Sequence, residues 1–190
     1  MDVARTTNGH GKVCDLSYEE LSKFDAAPGE SIPLFSEVLD RFGGKCLLNI
    51  ELKESGIEEA VKTEIISREL DKLSYHQSVI VSAFDQDDND SDASSSWNQL
   101  QVFVPDISIA LLATAAKIQK IGESGFVKKA KEYKARAINP EGAGVTSSLV
   151  NLAHKEGLLV YVWTVNDPKE IERFKKLGIE GLFSDFVERL

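Results

Sequence analysis

Glu51 and Lys53 are the residues whose types and spacing most directly suggest chemistry. They lie at the end of the apolar run Leu47–Leu52 and stand two positions apart, so on a strand both side chains point to the same face. A carboxylate suits a hard cation such as Mg²⁺ or Ca²⁺, and an ammonium group neutralises charge on phosphoryl oxygens. Taken alone, the spacing is more typical of a buried Glu–Lys pair with no chemical role.

The elements that must position these residues alternate between strands and helices. The strands are continuous apolar runs, as expected when both faces of a parallel sheet are buried. Six strands are predicted, and they begin at Leu47, Val79, Ile107, Ala137, Leu158 and Gly181. Helices are predicted between them, including Glu58–Leu73, Ser147–Lys155 and Pro168–Leu177.

Polar residues at the carboxyl ends of the strands favour a barrel over an open sheet. Such residues follow several runs: Glu51 and Lys53, Ser82, Asn139, Thr164 and Asn166, then Ser184 and Asp185. Barrel enzymes build their sites at that rim. An open doubly wound sheet would also accept six strands, but no Gly-rich phosphate loop follows any of them. A complete (β/α)₈ barrel needs eight strands, so six predict an incomplete TIM-type barrel.

Composition excludes several classes of partner. The 190 residues carry a net charge of −9, which argues against nucleic acid and against anionic lipid surfaces. No apolar run approaches the roughly 20 residues of a membrane span. The location is left open: a cytoplasmic one is favoured, but a signal peptide would belong to a part of the parent protein upstream of this sequence. Cys14 and Cys46 match no metal-ligand spacing and are expected to be reduced, partly buried thiols.

Six segments then carry a resemblance to a known family, in the family's own order. They are Arg5–Val13 (RTTNGHGKV), Asp15–Leu21 (DLSYEEL), Ile32–Leu39 (IPLFSEVL), Asn49–Lys53 (NIELK), Trp163–Asn166 (WTVN) and Gly178–Asp185 (GIEGLFSD). Together they resemble the glycerophosphodiester phosphodiesterase family along nearly the whole chain. The sequence is therefore identified as a single domain of that family, covering residues 1–190.

The resemblance implies a TIM barrel that hydrolyses glycerophosphodiesters to an alcohol and glycerol 3-phosphate with a divalent cation, Mg²⁺ or Ca²⁺. It implies that Glu51 is a metal ligand and that Lys53 is the catalytic cation facing the phosphate. Trp163 matches the aromatic residue that packs on the glycerol portion, and Asn166 is a second candidate for substrate binding. The resemblance also implies a small-molecule substrate.

The family's two catalytic histidines do not match positions in this sequence. Its pattern HDxxLxRTT, set in register by Arg5, places one of them immediately before Met1. We therefore expect the first two strands and the remaining catalytic motifs to belong to a longer parent protein. This chain alone is expected to be inactive and to self-associate through unpaired strands. The alternative is a non-catalytic pseudoenzyme, or a phosphate-binding or scaffold protein built on a partial barrel.

Two further features invite functional interpretations that we do not favour. His10 follows the family's histidine motif closely, but it is more simply a residue of a Gly-flanked loop. The segment Asp85–Asp90 suggests a calcium loop, but it lacks the sixth-position glycine and terminal Glu of an EF-hand. A solvated acidic loop is the favoured interpretation there, and His76 has no partner at a metal-ligand spacing.

Overall fold

Six parallel strands, hydrogen-bonded in chain order, form the main sheet of the protein. The computed structural model describes residues 2–74, 78–84 and 97–190. The strands are β3 (Leu48–Glu51), β4 (Val79–Phe84), β5 (Ser108–Ala113), β6 (Ala137–Pro140), β7 (Leu159–Val162) and β8 (Gly181–Leu182). Their carboxyl ends therefore meet at one edge, and the sheet curls into part of a (β/α)₈-type barrel. The prediction of an incomplete barrel is confirmed.

Helices before and between these strands cover the convex face of the sheet. They are α2 (Phe35–Phe42), α3 (Glu58–Ser67), α4 (Ala115–Ile121), α5 (Glu123–Glu132), α6 (Ser147–Lys155) and α7 (Pro168–Leu177). The main core lies between these helices and the sheet. A smaller apolar cluster around Ile80, Ala110 and Ala137 lies on the concave face. No described helix has the length and apolarity needed to cross a membrane.

Local capping explains where several helices begin. Asp167 accepts hydrogen bonds from the backbone of Lys169 and Glu170 at the start of α7, and Pro168 occupies the first helical position. At the short helix α1 (Tyr18–Leu21), Ser17 and Glu20 form a capping box. The cap at Asp167 starts α7 at the residue that the sequence predicts.

An antiparallel hairpin precedes the barrel strands and is absent from the sequence prediction. It pairs β1 (Asp25–Ala27) with β2 (Glu30–Ser31) around Pro28 and Gly29. Gly29 adopts a positive φ of 77°, which glycine accepts without strain. Asn8 ties the preceding loop to the hairpin by two hydrogen bonds with the backbone of Asp25.

One helix prediction needs correction, and one helix was not predicted. The predicted helix Glu58–Leu73 ends at Ser67, because Glu69 takes a left-handed φ of 54° and a 3₁₀ turn follows over Leu70–Lys72. This turn brings Leu70 into the core. The helix α4 was not predicted, because its seven residues are too few to show a clear apolar period.

Arg68 ties α2 to α3 at the surface. Its Nε donates to Asp40 at 2.6 Å and its Nη1 donates to Glu64 at 2.5 Å. The bond from Arg68 lowers the pKa of the Asp40 carboxyl below its ordinary value. Both cysteines are free, and both are exposed rather than partly buried as predicted.

The predictions for His76 and for the acidic segment 85–90 lie outside the described residues.

Candidate active site

Glu51 and Lys53 form an ion pair at the carboxyl end of β3. Lys53 Nζ donates to Glu51 Oε1, and the two side chains keep 43% and 27% of their surfaces exposed, respectively. Between them, Leu52 is buried, and its backbone N–H donates to the carbonyl of Ser82 at 2.8 Å. Because side chains alternate along a strand, the burial of Leu52 on one face directs Glu51 and Lys53 to the other.

Phe84 connects this charged pair to Trp163. The Lys53 ammonium lies 6.0 Å from the centroid of the Phe84 ring, and the Phe84 and Trp163 rings meet edge to face with centroids 5.4 Å apart. Phe84 ends β4, and Trp163 directly follows β7. These four residues, Glu51, Lys53, Phe84 and Trp163, are called the rim cluster below. The structure thus brings three of the four predicted site residues together, and their chemical roles stay predictions.

The indole of Trp163 is held in place by the neighbouring strand β6. Its Nε1 donates to the backbone carbonyl of Asn139 at 2.7 Å. Its backbone N–H donates to the carbonyl of Pro140 at 3.2 Å, and its own carbonyl accepts from the N–H of Gly142 at 2.8 Å. The ring therefore presents a fixed aromatic surface at the rim.

Asn166 is engaged differently from the other three predicted residues. Its side-chain oxygen accepts from Asp185 N at 3.0 Å and from Ser184 Oγ at 3.2 Å, and its Nδ2 donates to Asp185 Oδ2 at 2.8 Å. The oxygen has used both lone pairs, so one Nδ2 hydrogen remains for a ligand. No hydrogen bond joins Asn166 to the rim cluster among the described residues, and its observed contacts tie the segment after β7 to the segment after β8.

Three polar side chains lie next to the rim cluster, on the concave face. Asn139 Nδ2 donates to Asn49 Oδ1 at 3.3 Å, and Asn49 Nδ2 donates to Ser82 Oγ at 3.1 Å. We call Ser82, Asn49 and Asn139 the interior strut. Sequence reasoning places Ser82 and Asn139 near the rim but does not predict their connection through Asn49. The available signal was the position of Asn49, two residues before Glu51 on the same face of β3.

The histidines within the described part of the chain are not joined to the rim cluster. His154 Nε2 lies 3.3 Å from Glu180 Oε2, which also accepts from the N–H of Val160 at 2.7 Å. Glu180 directly precedes β8, so this pair lies at the amino ends of the strands, opposite the rim. His10 is exposed in the loop before the hairpin. In the described ranges, no hydrogen bond or ion pair connects either histidine to Glu51 or Lys53.

Glu51 is chemically suited to be one ligand of a hard cation. Its carboxylate is partly exposed at the rim, and oxygen ligands are what Mg²⁺ and Ca²⁺ prefer. Residues 2–74, 78–84 and 97–190 contain no group of three His, Cys, Asp or Glu side chains arranged to hold a metal. Glu51 can therefore supply one ligand to a divalent cation, and the described residues do not supply a complete set of ligands around it.

A curled parallel sheet with charged and aromatic side chains at its carboxyl rim places the protein in the (β/α)₈-barrel class of folds. Residues 1–189 match the glycerophosphoryl diester phosphodiesterase family. A glycerophosphodiester phosphodiesterase from Bacillus altitudinis is 32% identical over 199 residues, covering 97% of this chain and 74% of that protein. One from Caldanaerobacter subterraneus is 28% identical, covering 99% of this chain and 75% of that protein.

Solved structures agree on the fold. A glycerophosphoryl diester phosphodiesterase structure from Silicibacter pomeroyi superposes with a TM-score of 0.76 at 21% identity, over 96% of this chain and 69% of that one. A phosphodiesterase from Oleispira antarctica, solved with the product sn-glycerol-3-phosphate, superposes with a TM-score of 0.69 at 22% identity. The match covers 97% of this chain and 73% of that one. This chain belongs to the glycerophosphoryl diester phosphodiesterase family, and the resemblance noted in its sequence is confirmed.

Proposed function

We propose that the rim cluster binds the phosphate of a glycerophosphodiester, which is hydrolysed to an alcohol and glycerol 3-phosphate with the help of a divalent cation. The observation that carries this proposal is the convergence of Glu51, Lys53 and Trp163 through Phe84 at one edge of the sheet. Membership of a phosphodiesterase family supports it. The Oleispira antarctica relative in complex with sn-glycerol-3-phosphate supports this class of ligand.

Each member of the rim cluster has a role that follows from its chemistry. The Lys53 ammonium is a compact cation on a flexible stem, so it can turn from Glu51 to a phosphoryl oxygen and stabilise the negative charge there. The Trp163 and Phe84 rings form an apolar corner against which the carbon face of a glycerol unit can pack. Glu51 would be one ligand of a divalent cation, which supplies Lewis-acid stabilisation of the phosphoryl charge when bound.

We also propose that these 190 residues do not by themselves catalyse the reaction. General acid–base catalysis contributes about 10²–10⁴-fold per group and needs a donor or acceptor within hydrogen-bond reach. Within the described ranges, His154 lies at the opposite end of the strands, and His10 is exposed in a loop without a bond to the rim cluster. The second candidate function is therefore binding of a phosphate compound without turnover.

A paired binding and turnover experiment tests the proposed function. Titration calorimetry with sn-glycerol 3-phosphate should show binding to the 190-residue chain. Lys53→Gln should weaken that binding by about tenfold, through loss of a charge-assisted hydrogen bond to phosphate. The matched control is Lys128→Gln, because Lys128 is 78% exposed on α5 and lies away from the rim. Equal affinity of Lys53→Gln and wild type would refute the phosphate role of Lys53.

Turnover is then measured on glycerophosphocholine with Mg²⁺ or Ca²⁺. We expect none above background from this chain. Turnover that requires metal and disappears in His10→Ala would show that His10 supplies the acid–base step, and would contradict the proposed inactivity. Binding without turnover supports both the rim site and the inactivity of these residues alone.

Self-association is a further proposal, based on the two end strands of the sheet. β3 and β8 end the six-strand order, and no further strand pairs with either among the described residues. Unpaired strand edges are templates for pairing with another chain. Sedimentation velocity over a range of protein concentrations should show concentration-dependent association, and a constant monomer mass would contradict this.

A further inference from the structure

The interior strut crosses the concave face from β6 to β3. Two strands, β4 and β5, lie between β6 and β3 in the sheet. The hydrogen bond from Asn139 to Asn49 therefore spans the curved interior and joins residues 90 positions apart in the sequence. A second bond, from Asn49 to Ser82, continues the strut to β4.

Each member of the strut is attached to a member of the rim cluster. Asn49 lies two residues before Glu51 and points to the same face of β3. Ser82 is the register partner of Glu51 in the sheet and lies two residues before Phe84. The backbone carbonyl of Asn139 accepts the indole hydrogen bond of Trp163. Movement in the strut would therefore be transmitted to both ends of the site.

Hydrogen bonding within the strut is incomplete. Asn139 is fully buried, and its Oδ1 has no hydrogen-bond partner among the described residues. Exchanging oxygen and nitrogen in both amides does not solve this. Asn49 would then donate to Asn139 and accept from the hydroxyl of Ser82, but the Asn139 amide nitrogen would be left unpaired. An unpaired buried polar atom is costly in either orientation, so stability alone does not account for the strut.

Apolar packing fills only part of the concave face beside the strut. Leu47, Leu159 and Tyr161 pack against the smaller apolar cluster around Ile80, and a gap remains next to Asn49. A cavity of about 190 Å³ lies next to Asn49 and is lined by residues in or directly beside β3, β4, β7 and β8, among them Leu47, Ile80, Tyr161 and Phe183. Where side chains do not fill the concave face, the separation of β3 and β6 depends on directional contacts between them. The bond from Asn139 to Asn49 is such a contact.

We propose that Asn49 and Asn139 are positioning residues that set the distance between the charged end of the site, Glu51 and Lys53, and its aromatic end at Trp163. The functional part of this inference rests on the proposed binding of glycerol 3-phosphate at the rim cluster. Loss of the strut lets β6 and its bound indole move relative to β3, so that Lys53 and Trp163 no longer contact one ligand together.

The test uses Asn139→Leu and Asn49→Leu, which remove the same hydrogen bond from opposite ends. Leu is branched like Asn and carries no polar side-chain atom, and the cavity leaves room beside Asn49. The first measurement is hydrogen exchange of the two indole protons by NMR. Trp97 is the internal control, because its Nε1 donates to the carbonyl of Ala83 at 3.1 Å in the core. The second measurement is the affinity for sn-glycerol 3-phosphate, and the third is the thermal unfolding midpoint.

In both variants we expect faster exchange of the Trp163 indole proton, by about tenfold, the fold-change for losing one hydrogen bond. Trp97 exchange should stay unchanged, and ligand affinity should fall by a similar factor without a parallel fall in the unfolding midpoint. Unchanged Trp163 exchange in either variant overturns the proposal, as does affinity loss that only follows lower stability. If wild type binds no glycerol 3-phosphate, the proposed function fails, while the exchange measurement still decides whether the strut positions Trp163.

Discussion

Replacement of Glu51 by Gln tests whether the carboxylate is a cation ligand or only the ion-pair partner of Lys53. Gln keeps the shape of the side chain and one carbonyl oxygen, but it removes the charge that a hard cation needs. The change therefore affects binding of glycerol 3-phosphate in opposite directions without and with metal.

Without metal, the Glu51 charge repels a phosphate held by Lys53. For one unit of phosphate charge placed roughly 6 Å from the carboxylate, Coulomb's law gives about 0.7 kcal/mol in water and about 3 kcal/mol at an effective dielectric constant of about 20. The Glu51 carboxylate is paired with the Lys53 ammonium, which offsets part of its repulsion and favours the lower part of this interval. Removing the charge should thus improve metal-free affinity by about 1 kcal/mol, or roughly fivefold in Kd.

With metal, Glu51→Gln should lose the increase in affinity for glycerol 3-phosphate that the bound cation provides. The assay is titration calorimetry of sn-glycerol 3-phosphate, once in EDTA and once in Mg²⁺ or Ca²⁺. Glu132→Gln is the matched control, since Glu132 is a half-exposed residue at the end of α5, and it should behave as wild type. A metal-dependent gain of the same size in Glu51→Gln and wild type would refute Glu51 as a ligand. Weaker metal-free binding in Glu51→Gln would refute the electrostatic reasoning.

Three further predictions concern stability. The Arg68 guanidinium lowers the pKa of Asp40, so its stabilising effect is present above the ordinary carboxyl pKa and is lost as the pH falls through the lowered value. In Asp40→Asn this part of the acid dependence of the free energy of unfolding should disappear in urea titrations. Trp97→Ala should lower the free energy of unfolding by about 3–5 kcal/mol because a fully buried indole is removed, whereas Val187→Ala, at a position 77% exposed, should change it little. Trp163→Phe should cost about 0.5–1.5 kcal/mol through loss of its indole hydrogen bond, and calorimetric unfolding that shows no cost would contradict that bond.

The strands were predictable because a strand that is buried on both faces has apolar residues at nearly every consecutive position. The run Val79–Phe84 is apolar at almost every position, and it forms a strand whose first five residues are buried. Helix α7 was predictable because Asp167 and Pro168 mark its start locally. The hairpin β1–β2 was not, because its few residues are exposed and have no apolar alternation.

The placement of the charged residues of the candidate site was predictable from strand geometry. The placement of its aromatic residues was predictable only in part. Glu51 and Lys53 share a face by strand geometry alone. The contact of Trp163 with Phe84, and the bond between Asn49 and Asn139, depend on how far the sheet curls. No local pattern encodes that curvature, so these partners become visible only when the strands are in place.

The ion pair between Glu51 and Lys53 gives the proposed site a built-in coupling. A carboxylate bound to a cation has less attraction left for the Lys53 ammonium, and an ammonium bound to phosphate leaves the carboxylate free for a cation. Each ligand therefore removes the competitor of the other, and by linkage the two must strengthen each other's binding by the same factor. The pair costs little to open, since partly exposed ion pairs contribute only about 0–1 kcal/mol. From spacing alone, Glu51 and Lys53 are more typical of an ion pair without a chemical role. The pair is nevertheless compatible with function, because it is weak enough for both side chains to turn to other partners.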